Sequence, residues 1–107
     1  MTLVEFLLAR ITEDEDVAHV ERRVRDRLPE MWSDFSQRFD PAWVLAECEA
    51  KRRIIALHQP GHECSQYDHN GDIDRFMYCH DFEDCSTTKV LALPYAGHPD
   101  YQEEWRP

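Results

Sequence analysis

The sequence predicts a small, mainly α-helical domain with one long loop between its central and C-terminal helices. Three observations support this fold class. Apolar residues recur at helical spacing in an N-terminal, a central and a C-terminal segment. Strong capping signals precede the first two of these segments. Three of the four cysteines fall in a polar stretch, residues 59 to 85, that shows no clear periodicity.

A chain of 107 residues is expected to form a single domain, residues 1–107. We divide it into a helical region (2–58), a loop (58–85), and a C-terminal helix with a tail (86–107). A domain of this size buries only a limited core. A bound metal or a partner would therefore add to its stability.

The N-terminal helix is predicted from its capping signal and its apolar stripe. Thr2 and Glu5 have the spacing of a capping box. Thr12 and Glu15 repeat that spacing, so one long helix and two consecutive helices both agree with the pattern. Pro29 ends or restarts the helix. The apolar stripe consists of Leu3, Leu7, Ile11, Val17, Val20, Val24 and Leu28.

The central helix has the clearest start signal. Asp40 is a suitable N-cap, and Pro41 suits the first helical position. The helix is expected to end just after His58, because Pro60 and Gly61 follow. Its apolar side includes Cys48, which we predict to pack in the core rather than to bind a metal. Before this helix, aromatic residues between 31 and 39 have the spacing of one or two helical turns that pack on the core: Trp32, Phe35 and Phe39.

The loop contains residues that suit a structural zinc site. Four-coordinate structural zinc binds cysteine thiolates and histidine imidazoles. We predict His58, Cys64, Cys79 and Cys85 as the ligands, because one ion there would join two helix ends and organise a loop of unusual length. The spacing is less specific than paired CxxC motifs, so His62 or His80 could replace one ligand. Buried or free thiols, or a disulfide from Cys64 to Cys79 or Cys85, are the alternatives.

After Cys85, the sequence predicts a final helix capped by Ser86 and ended near Pro94. The tail is expected to form one short helical turn that begins near Pro99. Three aromatic residues give this tail the means to dock on the core: Tyr95, Tyr101 and Trp105.

The tail also carries a resemblance. Residues 92–105, ALPYAGHPDYQEEW, resemble the C-terminal signature ALPYA-x-HPDY-x-EEW of a family of small actinomycete and actinophage proteins of unknown function. Residues 49–55 with His58, and residues 3–7 and 13–15, resemble its central helix and its opening. Members often carry cysteines between the central helix and the tail, and Cys85, just before the last helix, matches this feature best and His58 next. Gly97 departs from the acidic residue usual at that position. The resemblance implies the fold, the metal site and a phage or mobile-element setting, but no reaction.

The net charge of the chain and its lack of catalytic motifs limit the classes of function that the sequence supports. The net charge is −10, from 12 basic and 22 acidic residues, which disfavours nonspecific nucleic-acid binding. No segment approaches the ~20 apolar residues of a membrane span, and the N-terminus lacks the features of a signal peptide. We therefore expect a cytoplasmic protein. It has no phosphate loop, GxSxG or HExxH motif, so we do not expect an enzyme.

Three functional hypotheses follow from these features. The first is a zinc-stabilised protein-interaction module whose partner has a basic surface. The second is a nucleic-acid-related regulator, or an acidic DNA mimic that blocks a DNA-binding protein. The third is a small metal-dependent hydrolase with an open zinc position.

Overall fold

A computed structural model of the chain describes residues 1–27, 40–67 and 70–107. Within these ranges the helices are α1 (Leu3–Arg27), α2 (Pro41–Leu57) and α3 (Ser86–Ala92), and the strands are β1 (His62–Tyr67) and β2 (Ile73–Cys79). Short 3₁₀ turns cover Phe82–Asp84, Leu93–Tyr95 and Glu103–Trp105. The prediction of a small, mainly α-helical domain is confirmed. No helix in the described ranges is both long enough and apolar enough to cross a membrane.

α1 is one continuous helix, so the second capping box does not interrupt it. The hydroxyl of Thr2 accepts a hydrogen bond from the backbone N–H of Glu5 at 3.3 Å, as the first capping box predicts. Thr12 instead accepts a hydrogen bond from Nη2 of Arg52 at 3.0 Å. Arg52 also forms a bidentate ion pair with Glu15, at 2.6 and 3.1 Å. Thr12 and Glu15 therefore bind α2 instead of starting a new helix.

α2 begins and ends where its sequence signals predict. A carboxylate oxygen of Asp40 accepts a hydrogen bond from the N–H of Ala42 at 2.9 Å, and Pro41 is the first helical residue. At the other end, His58 is the C-terminal cap. Cys48 is 1% exposed and belongs to the hydrophobic core, as predicted. The predicted aromatic turns between 31 and 39 lie outside the described residues.

The core forms where the C-terminal tail packs against the first half of α1. Phe6 is fully buried, and four rings lie with their centroids 5.1 to 6.4 Å from its own: Tyr95, His98, Tyr101 and Trp105. The hydroxyl of Tyr95 also donates a hydrogen bond to Asp14 on α1, at 2.7 Å. The expected docking of the aromatic tail is thus present. Its helical turn is Glu103–Trp105, a few residues later than the expected start near Pro99.

The second half of α1 contributes less to the core than its apolar stripe predicts. Leu3, Leu7 and Ile11 are fully buried, and Ala18 is the last buried residue of the helix. After Ile11, the described residues of the apolar stripe are exposed, with Val20 53% accessible. The contacts that α2 and the tail make with α1 reach Ile11, Asp14 and Glu15. Helical periodicity shows which side of a helix is apolar, but it does not show how far along the helix neighbouring elements cover that side.

The stretch predicted as a loop contains an antiparallel β-hairpin. His62 pairs with Cys79 and Cys64 pairs with Met77, and Gly71 lies in the turn with φ +85°. Alternate residues of a strand share one face. On one face of β1 these residues are His62 and Cys64 instead of apolar side chains. The alternation of apolar and polar residues that usually indicates a strand is therefore absent from β1.

Candidate metal centre

Two histidines and two cysteines converge between the end of α2, the hairpin and the start of α3. His58 caps the end of α2, and Cys85 immediately precedes α3. Cys85, not Ser86 as predicted, is the N-cap residue of α3. His62 and Cys64 are the first and third residues of β1. The donor atoms of His58, His62, Cys64 and Cys85 all lie within 4.8 Å of one another, so the chain contains a His2Cys2 cluster at metal-binding distance.

A glycine turn brings β1 back towards the end of α2. Gly61 has φ +88°, in the left-handed region that glycine adopts without strain. Its N–H donates a hydrogen bond to the carbonyl oxygen of Cys79 at 2.8 Å, which fixes the turn to β2. The turn leaves Nε2 of His62 only 3.2 Å from Nδ1 of His58. Pro60 and Gly61, which signal the end of α2 in the sequence, therefore also position His62.

The distances between donor atoms match those around a tetrahedral zinc ion. With ordinary zinc–ligand bond lengths, two thiolates on one ion are about 3.8 Å apart, a thiolate and an imidazole nitrogen about 3.6 Å, and two imidazole nitrogens about 3.3 Å. Sγ of Cys85 lies 3.8 Å from Sγ of Cys64. It lies 3.6 Å from Nδ1 of His58 and 3.6 Å from Nε2 of His62. Together with the 3.2 Å between the two nitrogens, four of the six tetrahedral edges agree with expectation to within about 0.2 Å.

The ring of His62 is oriented as in a metal-bound histidine. Its Nδ1 lies 2.7 Å from the carbonyl oxygen of Gln59. A carbonyl only accepts, so Nδ1 carries the proton and Nε2 presents its lone pair to the cluster. Histidines that bind metals commonly donate their other ring N–H to a backbone carbonyl in this way. The sequence spacing of His62 and Cys64 gives no indication that the backbone carbonyl of Gln59 would fix the orientation of the His62 ring.

Cys79 lies beside the cluster rather than within the set of four. Its Sγ is 3.1 Å from Sγ of Cys64, which is shorter than the separation of about 3.8 Å expected for two thiolates on one zinc ion. The thiol of Cys79 also contacts the carbonyl oxygen of Asp84, at 3.9 Å. Cys79 is fully buried, whereas Cys64 is half-buried. Of the four sequence-predicted ligands, the structure brings His58, Cys64 and Cys85 to metal-binding distance together with His62, and Cys79 lies next to Cys64.

The two cluster cysteines have opposite electrostatic environments. Burial raises the pKa of the Cys64 thiol, and hydrogen bonding to Cys79 raises it further. Burial also acts to raise the pKa of Cys85, but the hydroxyl and backbone N–H of Thr88, together with His62, outweigh it and lower that pKa. The buried Thr88 hydroxyl has no hydrogen bond of normal geometry among the described residues. A thiolate at Cys85, the form that binds metal, would supply the acceptor it needs.

His80, the other predicted alternative, faces away from this cluster. It is exposed, and its ring packs edge-on against Tyr78 with centroids 4.6 Å apart. It is not one of the four residues whose donor atoms converge. Of the two substitute ligands that the sequence suggested, only His62 lies at metal-binding distance from the others.

Comparison with known proteins identifies the chain at family level. No curated protein and no solved structure matches it. The sequence profile of a family of unknown function, DUF6221, matches residues 1–107. With the whole fold and the His2Cys2 cluster inside that match, the chain belongs to the family of unknown function DUF6221.

Proposed function

We propose that the chain is a non-enzymatic, zinc-stabilised module that binds another protein. The observation that carries the proposal is the near-tetrahedral arrangement of four donor atoms, from His58, His62, Cys64 and Cys85. Tetrahedral sites of two sulfurs and two nitrogens favour zinc over harder ions such as Mg²⁺ or Ca²⁺. Two thiolates also balance the charge of the ion, so the centre carries no net charge.

The metal would have a structural role. It would join the end of α2, the hairpin and the start of α3 at one point. A two-stranded hairpin is at best marginally stable alone, so this attachment would matter for the fold. A catalytic zinc keeps one coordination position open for water or substrate. An ion held by four side chains has no such position, and for this reason we favour a structural module over the metal-dependent hydrolase.

Two ligand sets compete for the ion. The set His58, His62, Cys64 and Cys85 fits the tetrahedron directly. The set predicted from sequence has Cys79 in place of His62, and it requires the two hairpin sulfurs to move apart from 3.1 Å to about 3.8 Å. The orientation of His62 by the Gln59 carbonyl supports the first set.

Metal analysis and cobalt substitution test the centre and its ligands. Protein purified without a histidine tag is expected to hold about one zinc ion per chain. After replacement by Co²⁺, the visible spectrum should show tetrahedral geometry with two thiolates, not three. His62→Ala should weaken metal binding by at least about tenfold, whereas Cys79→Ser should bind as the wild type does. A chain with free thiols and no metal would contradict the proposal. Loss of metal in Cys79→Ser with retention in His62→Ala would select the other ligand set.

The surface beside the centre is acidic. Glu63 on β1 is exposed, as are Asp81 and Asp84 between β2 and α3. On β2, Tyr78 pairs with Glu63, is about half exposed and adds apolar contact area. With a net charge of −10, this surface suits a partner with basic residues. A DNA-binding protein blocked by an acidic mimic is one partner of this kind.

Direct binding to nucleic acid has less support. The basic residues of α2 that could have formed a positive stripe are engaged within the chain. Lys51 donates a hydrogen bond to the hydroxyl of Tyr95 at 3.2 Å. Arg52 pairs with Glu15 on α1, and Arg53 pairs with Glu49 at 2.8 Å. The charges of Arg52 and Arg53 are therefore balanced locally, and phosphate would have to compete with these contacts.

The partner hypothesis predicts a salt-sensitive interaction at the acidic surface. The immobilised chain should retain a basic protein partner at low ionic strength and release it as salt is raised to about 0.5 M. A triple variant, Glu63→Gln with Asp81→Asn and Asp84→Asn, should retain several-fold less. Its matched control neutralises three acids elsewhere: Glu21→Gln, Asp26→Asn and Glu104→Gln. Equal retention by both variants would show that net charge, and not this surface, governs binding.

A further inference from the structure

The sulfurs of Cys64 and Cys79 are close enough to react with each other. Their separation of 3.1 Å is shorter than the 3.8 Å between Cys64 and Cys85. A disulfide bond is about 2.05 Å long, so the two sulfurs need to approach by only about 1 Å. Two co-ligands of one zinc ion would instead be held about 3.8 Å apart. The two sulfurs are thus close enough for a disulfide to form after a small movement.

The hairpin register explains why the two thiols meet. Cys79 pairs with His62, and Cys64 pairs with Met77, two residues along each strand. Cys64 and Cys79 therefore lie on the same face of the two-stranded sheet, at diagonal positions across the ladder. The β-bulge that follows Cys64 lies beyond this pair, between Cys64 and Gln66.

We infer that Cys64 and Cys79 form an oxidative modification site, at which a peroxide makes a disulfide and thereby removes Cys64 from the metal. This inference rests on the proposed zinc centre. Cys64 is half-buried and Cys79 is fully buried, so a small oxidant reaches Cys64 first. Cys79 then acts as the resolving thiol. Cys48 lies away from this pair, in the core, where its thiol contacts the carbonyl oxygen of Ile11.

The chemistry balances with hydrogen peroxide as the oxidant. The sulfur of Cys64 attacks one peroxide oxygen, the O–O bond breaks, and the leaving hydroxide becomes water by taking the proton that the Cys64 thiol gives up. Cys64 is then a sulfenic acid. The sulfur of Cys79 attacks the Cys64 sulfur, the S–O bond breaks, and the hydroxide leaves as water with the proton of the Cys79 thiol. The two sulfurs lose two electrons and the peroxide gains two.

The disulfide would change the metal centre. Cys64 would no longer offer a thiolate, and three donors would remain: His58, His62 and Cys85. A site with one ligand fewer holds zinc less tightly. Reduction of the disulfide by a dithiol would restore the thiolate and therefore the site, which makes the modification reversible.

Peroxide treatment of the zinc-loaded chain tests the inference. Zinc release is followed with a chromogenic chelator, and the disulfide is mapped by mass spectrometry without reduction. Hydrogen peroxide should release the ion, form the Cys64–Cys79 bond, and be reversed by dithiothreitol. Cys79→Ser should load zinc but release it at least about tenfold more slowly, because the thiol nearest to Cys64 is then absent. Cys48→Ala is the matched control and should behave as the wild type does.

The possible results separate the two proposals. A Cys64–Cys85 bond, or equal release rates in Cys79→Ser and wild type, would overturn the inference and leave the zinc centre intact. Loss of zinc from Cys79→Ser before peroxide is added would make Cys79 a ligand, which also overturns the inference. A wild-type chain that binds no zinc would overturn both. Cys79→Ala replaces the serine variant if a hydroxyl at this buried position prevents folding.

Discussion

Replacing Cys85 by serine is expected to unfold the domain or to leave it folded only well below its normal melting temperature. Cys85 is fully buried, and its sulfur is within 3.8 Å of the donor atoms of His58, His62 and Cys64. Structural zinc contributes about 10–16 kcal/mol of apparent binding free energy in small metal-dependent domains. A whole domain is stable by only about 5–15 kcal/mol. Loss of the thiolate that lies at the centre of the cluster should therefore remove most of the stability.

Thermal unfolding followed by circular dichroism, with zinc content measured on the same sample, checks this expectation. A chelator added to the wild type should lower the melting temperature in the same way as Cys85→Ser. Cys48→Ala removes a different buried thiol from the core, so it should cost only about 1–2 kcal/mol and keep the metal. Full thermal stability of Cys85→Ser would show that the fold does not depend on this centre.

Phe6→Ala is expected to have the second-largest effect, a loss of about 3–5 kcal/mol of unfolding free energy. Phe6 is fully buried, and the rings of Tyr95, His98, Tyr101 and Trp105 surround it. Its removal leaves a cavity lined by these rings, and α1 and the tail cannot fill it while they keep their present packing. For a domain of this size, each kcal/mol lowers the melting temperature by about 4–8 °C.

Two controls make the Phe6 result specific. Phe6→Leu keeps most of the volume and should cost clearly less than alanine. Val20→Ala changes an exposed apolar residue on the same helix and should alter stability by no more than about 0.5 kcal/mol. Hydrogen exchange should also quicken in the tail of Phe6→Ala before it does in α2. An equal effect of Phe6→Ala and Val20→Ala would contradict a core centred on Phe6.

The helices were predictable because their start signals are local. Thr2 and Asp40 cap α1 and α2 with hydrogen bonds that need only the next two or three residues. The failed signals have partners that are distant in sequence. Thr12 accepts a hydrogen bond from Arg52, about 40 positions away in the sequence, and therefore does not cap a helix. Cys85, and not Ser86, precedes α3, because the cluster fixes the position of that residue.

The residue types of the candidate site were predictable from the sequence, but which donor atoms converge was not. His58, Cys64, Cys79 and Cys85 were identified because thiols and an imidazole gathered in a polar segment. What separates His62 from Cys79 is geometry: the Gly61 turn and the hairpin register decide which donor atoms converge. The hairpin register has no sequence signal of its own, since the face of β1 that carries His62 and Cys64 contains no apolar alternation. The one available hint was the i, i+2 spacing of His62 and Cys64.

The packing of Phe6 against the tail has a consequence for how the chain folds. The partners of Phe6 lie roughly 90 residues away, so the core closes only after two segments distant in sequence have met. Until then α1 exposes its apolar side. A metal bound between residues 58 and 85 would join two points in the intervening chain early, and so shorten the effective loop that must close. The order of events would then be metal first and core last, with zinc supply setting the pace of folding.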